Sequence, residues 1–263
     1  MTNDRFEKGA EADALCEKLR SMRLPSMAEE LKKLYSDPNF DLRNAPDLIA
    51  SLVNAEWDAR QTKKTNKYFK RAGLRYPDAD FDDMLYDPSR LLDVETILSL
   101  TDCRWVAEGR NILITGLTGT GKTYMGCALC ACALRRFMSA KYVKASDLIY
   151  SFEQSDEKRD TSKMLEEYAS YDVLVIDDFG LMPLNPNRCR YLFQIIDSRE
   201  GRKSTMVISQ LPLGAWYDLF EDKTYADAVL DRLAYKAYRL NMNGKNVRNP
   251  ELQKRADEKK ADK

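Results

Sequence analysis

The chain has 263 residues, enough for one large domain or two small ones. Its 42 basic and 42 acidic side chains cancel, so net charge points to no polyanionic partner and only local clustering of charge can. No apolar run approaches the roughly 20 residues that span a bilayer, and the opening MTNDRFEKGAEAD lacks the apolar core of a secretory signal, so a cytoplasmic protein with no membrane partner is expected.

Up to about residue 105 the pattern is helical, with no convincing strand. Met27, Leu31 and Leu34 recur at i, i+4 and i+7, and Ser26 with Glu29 reads as a capping box. Pro46 and Asp47 open a longer helix with Leu48, Leu52, Ala55 and Ala59 on one face, running to about Ala72 and ended by Gly73. The stretch from Tyr76 to Asp83 reads as a polar connection. After residue 105 short apolar strands alternate with helices, the pattern of a mostly parallel sheet covered on both faces. Strands are expected at Asn111–Thr115, Lys141–Lys144, Val173–Asp177, Thr205–Ser209 and Tyr238–Met242, with helices at about Thr123–Phe137, Ser146–Glu153, Arg188–Glu200 and Ala226–Ala237. The expected division is an all-α domain over residues 1–98, an α/β core over 99–244, and a frayed polar tail over 245–263.

The segment NILITGLTGTGKT fits G-x-x-x-x-G-K-[ST], the P-loop, with an apolar strand before it and a helix after it. The residues expected around a nucleotide are Gly116, Leu117, Thr118, Gly119, Thr120, Gly121, Lys122, Thr123 and Tyr124. Glycines allow a tight turn that aims backbone N–H groups at phosphate oxygens, and the following helix adds its positive N-terminal end. Lys122 supplies full positive charge to the β and γ phosphates of ATP, and Thr123 offers a hydroxyl to Mg²⁺. Further on, the apolar strand Val173–Ile176 ends in Asp177-Asp178. Ligands gather at the carboxyl ends of parallel strands, so Asp177 is placed to hold Mg²⁺, and Asp178 to act as general base on the attacking water. The next strand ends in Ser209-Gln210. One of the two either senses the γ-phosphate, with Ser209 the candidate, or both are ordinary turn residues. No histidine occurs anywhere, which excludes His-based triads and leaves acid/base chemistry to carboxylates. Cys127, Cys130 and Cys132 crowd together in GCALCACAL, where a buried helix explains them better than a metal site. Trp105 reads as a core residue.

Between Arg60 and Arg75 there are basic residues and no acidic ones. Arg60, Lys63, Lys64, Lys67, Lys70 and Arg71 follow helical spacing and form one basic stripe. Such a stripe suits the backbone of duplex DNA; a solvated helix face or a protein contact are the alternatives. A GTPase is excluded by the lack of an N-K-x-D motif after the P-loop, and an ABC-type ATPase by the lack of an LSGGQ-like run. A small-molecule kinase would show an arginine-rich lid, and none is visible.

The segments LRSMRLPSMAEELKKL, NILITGLTGTGKTYMGCAL, YDVLVIDDFGLMPL, STMVISQLPLGAWYDLF and YADAVLDRLAYKAYRLNMNGKNVR together resemble the IstB-type AAA+ ATPases, transposition helpers related to the DnaC-type helicase loaders. The resemblance covers most of the chain. It implies an AAA+ fold after an all-α N-terminal domain, ATP hydrolysis with Mg²⁺, DNA binding, homo-oligomers on duplex DNA and an IstA-type transposase as partner. A DnaC-like replicative helicase loader is the alternative. By the same resemblance Arg232, in LDRL, corresponds to an arginine finger reaching a neighbouring subunit's nucleotide. From the sequence alone Asp231-Arg232 reads as a surface pair.

Overall fold

The computed structural model describes residues 2–84, 92–158, 160–242 and 244, so the expected tail over 245–263 lies outside the described residues. The chain divides into two compact units, residues 1–67 and 68–263.

The first unit holds α1 (Thr2–Ser21), α2 (Pro25–Ser36), a short 3-10 turn and most of α3 (Ala45–Ala72). Its small core joins Cys16, Ala28 and Leu31, with Leu19, Tyr35 and Leu52 packed around them. The capping box expected at Ser26 and Glu29 is not formed. Pro25 occupies the first turn of α2, where a missing N–H costs nothing. The orphan N–H groups of Ser26 and Met27 donate instead to Glu56 Oε2 of α3, at 3.0 and 3.2 Å. A carboxylate from a neighbouring helix thus replaces the local cap. α3 begins where Asp47 N donates to the Asn44 side chain at 2.9 Å, and it stops at Gly73, whose φ of 63° suits glycine.

The second unit is built on five parallel strands: β1 (Ile112–Gly116), β2 (Ala140–Lys144), β3 (Val173–Phe179), β4 (Ser204–Ser209) and β5 (Tyr238–Met242), in the spatial order β2-β3-β4-β1-β5. The central strands β1, β3 and β4 are apolar on both sides because both sides are covered, while the edge strands β2 and β5 keep polar residues. Ile112, Ile114, Val173, Val175, Met206 and Ile208 face α6 (Lys122–Arg135) in one cluster. Leu113, Leu174, Ile176 and Val207 face α7 (Ala145–Lys158), α9 (Pro186–Arg199) and α10 (Lys223–Ala234) in the other. Cys127 and Cys130 are buried in α6, and burial pushes both thiols up. Trp105 is buried and donates its indole N–H to Leu100 O at 3.0 Å.

Three features differ from the sequence reading. The connection over Tyr76–Asp83 is not merely polar: Ala79 and Phe81 are buried in the same cluster as β1 and α6, together with Ala72, Leu74 and Met84. Two short helices, α4 (Val94–Leu100) and α5 (Arg104–Ala107), precede β1, and α8 (Thr161–Ser170) stands before β3. α8 escapes a periodicity reading because it is short, and among its residues only Tyr168 is fully buried.

Arg199, at the end of α9, is 1 % exposed. Its guanidinium donates to Tyr168 O (2.7 Å), Tyr171 O (2.8 Å), Ser204 O (2.6 Å) and Thr205 Oγ1 (3.0 Å). One side chain therefore closes the polar ends of α8, β3 and β4. Burial works against its charge and lowers its pKa to about 9, against the pull of the Asp172 carboxylate, so the side chain is still a cation at neutral pH. Arg199→Met strips the donors and leaves buried carbonyls unpaired. A loss of about 3 kcal/mol or more is expected in urea unfolding; a loss below about 1 kcal/mol would show that water takes over the arginine's role.

Candidate functional site

The loop from Gly116 to Gly121 leaves the carboxyl end of β1 and enters α6. Gly116 has a φ of 145°, and a Cβ there would lie inside the van der Waals shell of Met242 O on β5. Gly121 caps α6 with a φ of 90°. These glycines let the loop curl tightly. Thr120 Oγ1 and Lys122 Nζ both donate to Leu117 O, at 2.9 and 2.7 Å, so the lysine side chain is wrapped by the loop it serves. The loop opens onto a cavity of about 330 Å³, lined among others by Thr118, Gly119, Gly121, Lys122, Thr123, Tyr124, Asp177, Asp178, Ser209 and Gln210. The structure thus brings the strand-end acids to the phosphate loop.

How both acids reach one cavity is a matter of register. In a regular strand, neighbouring residues point to opposite faces. Between β3 and β4 the register slips: Ile176 pairs with Val207, but Phe179 pairs with Ser209. Two residues of β3, Asp177 and Asp178, therefore oppose one residue of β4, a β-bulge. Asp178 takes a φ of 57°, a conformation that aspartate tolerates better than most residues. Asp177 is 1 % exposed and accepts from Thr123 Oγ1 (2.9 Å) and Tyr142 OH (2.6 Å) on Oδ2, and from Asp178 N (2.7 Å) on Oδ1. Asp178 lies further out, 3.8 Å from Lys144 Nζ. Burial and the adjoining Asp177 carboxylate push the Tyr142 phenol well above its usual range, so it stays a donor.

Ser209 lies at the cavity, but its hydroxyl is committed to backbone: it donates to Phe179 O at 2.6 Å and accepts from Leu211 N at 3.1 Å. Gln210 is the one of the pair that contacts the loop, accepting from Thr118 Oγ1 at 2.6 Å. Tyr124 both accepts from Asp80 N and donates to Asp80 O, tying the first turn of α6 to the segment before it. Arg75, Tyr76 and Met84 complete the cavity wall, with the Tyr76 and Tyr124 rings 5.9 Å apart. Sequence patterns alone do not single out Arg75, Tyr76, Met84, Tyr142 or Lys144. A signal existed only for the last two, since strand alternation puts Tyr142 and Lys144 on one side of β2.

Arg232 does not line this cavity. It lies on α10, where it reaches Asp197 at 3.0 Å and Glu200 at 2.9 Å, with Phe193 beneath its guanidinium. Of the basic stripe, Arg60 is engaged by Glu56 at 2.8 Å and by Arg23 O at 3.0 Å. Lys63, Lys64, Lys67, Lys70 and Arg71 are exposed along α3.

Residues 17–256 match the sequence profile of the IstB-like ATP binding protein. The chain belongs to this family. An insertion-sequence ATP-binding protein of Sinorhizobium fredii is 34 % identical over 88 % of this chain and 92 % of its own length. Among solved structures, the DnaC helicase loader superposes with a TM-score of 0.56 at 21 % identity, over 64 % of this chain and 99 % of that one. AMPPCP-bound DnaA from Aquifex aeolicus gives 0.55 at 18 %, over 71 % and 56 %. The IstB-like chain therefore carries the AAA+ P-loop fold, with a helical region before it, and is an ATP-binding protein.

Two glycines test the loop geometry by contrast. Gly116→Ala has no room and an unfavourable φ, so it is expected to lower the melting temperature by several degrees and to abolish ATP binding. Gly201→Ala, with a φ of 65° but nothing within 4 Å of the added carbon, should lose only about 1–2 kcal/mol and keep ATP affinity. Equal effects of the two on stability would mean that the β1–β5 contact does not constrain the loop.

Proposed function

We propose that this IstB-like protein hydrolyses ATP, assembles with copies of itself on duplex DNA, and in doing so helps a transposase encoded with it. The carrying observation is the β3 bulge, which turns two carboxylates of unlike environment toward one phosphate loop. Thr123 Oγ1 and Asp177 Oδ2, hard oxygen donors 2.9 Å apart, fit the chemistry of a Mg²⁺ site. When bound, Mg²⁺ neutralises charge developing on the phosphates. The loop N–H groups and Lys122 hold the phosphates, and the wall of Tyr76, Tyr124 and Met84 suits the base. Asp178, less buried and unshared with Thr123, takes the proton of the attacking water. The insertion-sequence relatives support the transposition context over the helicase-loader alternative, which rests on likeness of the ATPase sheet alone.

Arg232 completes the reading as a group supplied to a neighbour's nucleotide. Its present partners do not forbid this. Asp197 and Glu200 are nearly half-exposed, and ion pairs of that kind are worth about 0–1 kcal/mol each. A finger supplied in trans is worth on the order of 10³ to 10⁵ in rate, or about 4–7 kcal/mol. Release of the pairs is the smaller effect.

ATP turnover separates the roles. Lys122→Ala should lose tight ATP binding, whereas Asp178→Asn should bind ATP and turn over slowly. Arg232→Ala should bind ATP and lose most turnover, yet regain part of it when mixed with Lys122→Ala, which still donates a finger. Wild-type turnover in Asp178→Asn removes the base assignment, and no recovery in mixtures shown to co-assemble removes the trans assignment.

The stripe on α3 is tested by salt. Charge reversal at Lys63, Lys64 and Lys67 should weaken duplex DNA binding for all sequences alike and reduce the salt slope by about 0.9 for each phosphate no longer neutralised. An unchanged slope in a folded variant would assign the stripe to solvent or to a protein partner.

A further inference from the structure

We propose that Tyr142 and Arg75 are positioning residues for Asp177, forming a relay from Arg75 through Tyr142 to the carboxylate that sets the site's affinity for its divalent cation. This rests on the reading of Thr123 and Asp177 as the protein donors to that cation.

Tyr142 lies on β2, paired with Val175, and Lys144 of the same strand pairs with Asp177. The phenol does not line the cavity; it stands behind Asp177 and donates to Oδ2 at 2.6 Å. That oxygen also receives the Thr123 hydroxyl, while Oδ1 receives Asp178 N. Donors from β2, from α6 and from the bulge thus fix the carboxylate against rotation. A phenol has one proton and can swing it about the C–O bond. The Arg75 guanidinium lines the same cavity as Asp177 and bears on the phenol as a nearby positive charge. A positive charge near the phenol disfavours turning its proton that way and favours donation to Asp177. Groups that orient a metal-binding carboxylate from behind are worth about 10–100-fold in metal affinity. Neither residue belongs to the phosphate loop or the doubled acids; Arg75 ends the basic run, in the segment just after α3.

The test titrates Mn²⁺, visible by electron paramagnetic resonance, into the full chain saturated with ADP, so no turnover is involved. Tyr142→Phe, which removes one oxygen and keeps the ring, should weaken Mn²⁺ binding by about tenfold or more. ADP affinity in EDTA should hardly move. Arg75→Ala should weaken Mn²⁺ binding less, and its effect should shrink in the Tyr142→Phe background, a non-additivity that a merely structural role would not produce. Asp177→Asn separates the cation site from the relay. Wild-type Mn²⁺ affinity in Asp177→Asn overturns the cation-site reading. Loss in Asp177→Asn without loss in Tyr142→Phe overturns the relay and leaves the site. Additive losses of Arg75→Ala and Tyr142→Phe detach Arg75 from it. Should Tyr142→Phe fail to fold, an Arg75→Ala protein with wild-type Mn²⁺ affinity overturns the relay by itself.

Discussion

The site depends on satisfying the hydrogen-bonding needs of one buried carboxylate. Asp177 is 1 % exposed, and an isolated buried carboxylate is disfavoured by several kcal/mol unless hydrogen bonds replace its hydration. Three donors do so, and each fixes a different part of the architecture. Thr123 requires the P-loop to deliver the first turn of α6 to the end of β3. Tyr142 requires β2 to lie beside β3, in the register that pairs Lys144 with Asp177. Asp178 N requires the bulge. Moving any one of these elements leaves the charge short of a donor, so the sheet order and the local irregularity of β3 are parts of the same solution.

The sheet can carry that irregularity because its two faces are buried independently. Alternate residues of β1, β3 and β4 enter two separate apolar clusters, one under α6 and one under α7, α9 and α10. The alternation holds up to Ile176 and is broken only at the strand's carboxyl end, where side chains meet the cavity rather than the core. A bulge two residues earlier would have turned Val175 or Ile176 out of its cluster. Arg199 does comparable work at the opposite end of the strands, where Tyr171 O and Ser204 O precede β3 and follow α9.

What was legible in the sequence follows from the range of the interactions involved. The strands β1 to β5, α6 and the long α3 could be read because short strand-like runs between helices, a glycine stop and a phosphate-loop spacing are all local patterns. The placing of Gly116 to Thr123 and of Asp177 around one cavity was legible for the same reason. The cap of α2 was not: its acceptor, Glu56, lies 30 residues away from Ser26 and displaces the local Ser26–Glu29 solution. The bulge was hidden because nothing in Val-Ile-Asp-Asp-Phe distinguishes a regular strand from one that pairs two residues against one. Tyr76 to Asp83 looked polar because its few apolar residues lack any period, yet Ala79 and Phe81 are buried in the cluster that holds α6. Ser209 and Gln210 could not be told apart without knowing which one meets the backbone and which meets the loop.

Likeness to known proteins divides the molecule in a way that bears on its purpose. The solved DnaC structure is covered almost entirely, yet it accounts for 64 % of this chain, whereas the IstB-like profile runs from residue 17 to residue 256. The shared portion includes the sheet that presents nucleotide, a machine compatible with several partners. The family profile takes in the helical region before the sheet, including α3 with its exposed lysines. Within that region the Glu56 cap ties α2 to α3 by a side-chain contact across 30 residues rather than by local sequence, and it does so from one of the few buried positions of an otherwise exposed or half-buried helix.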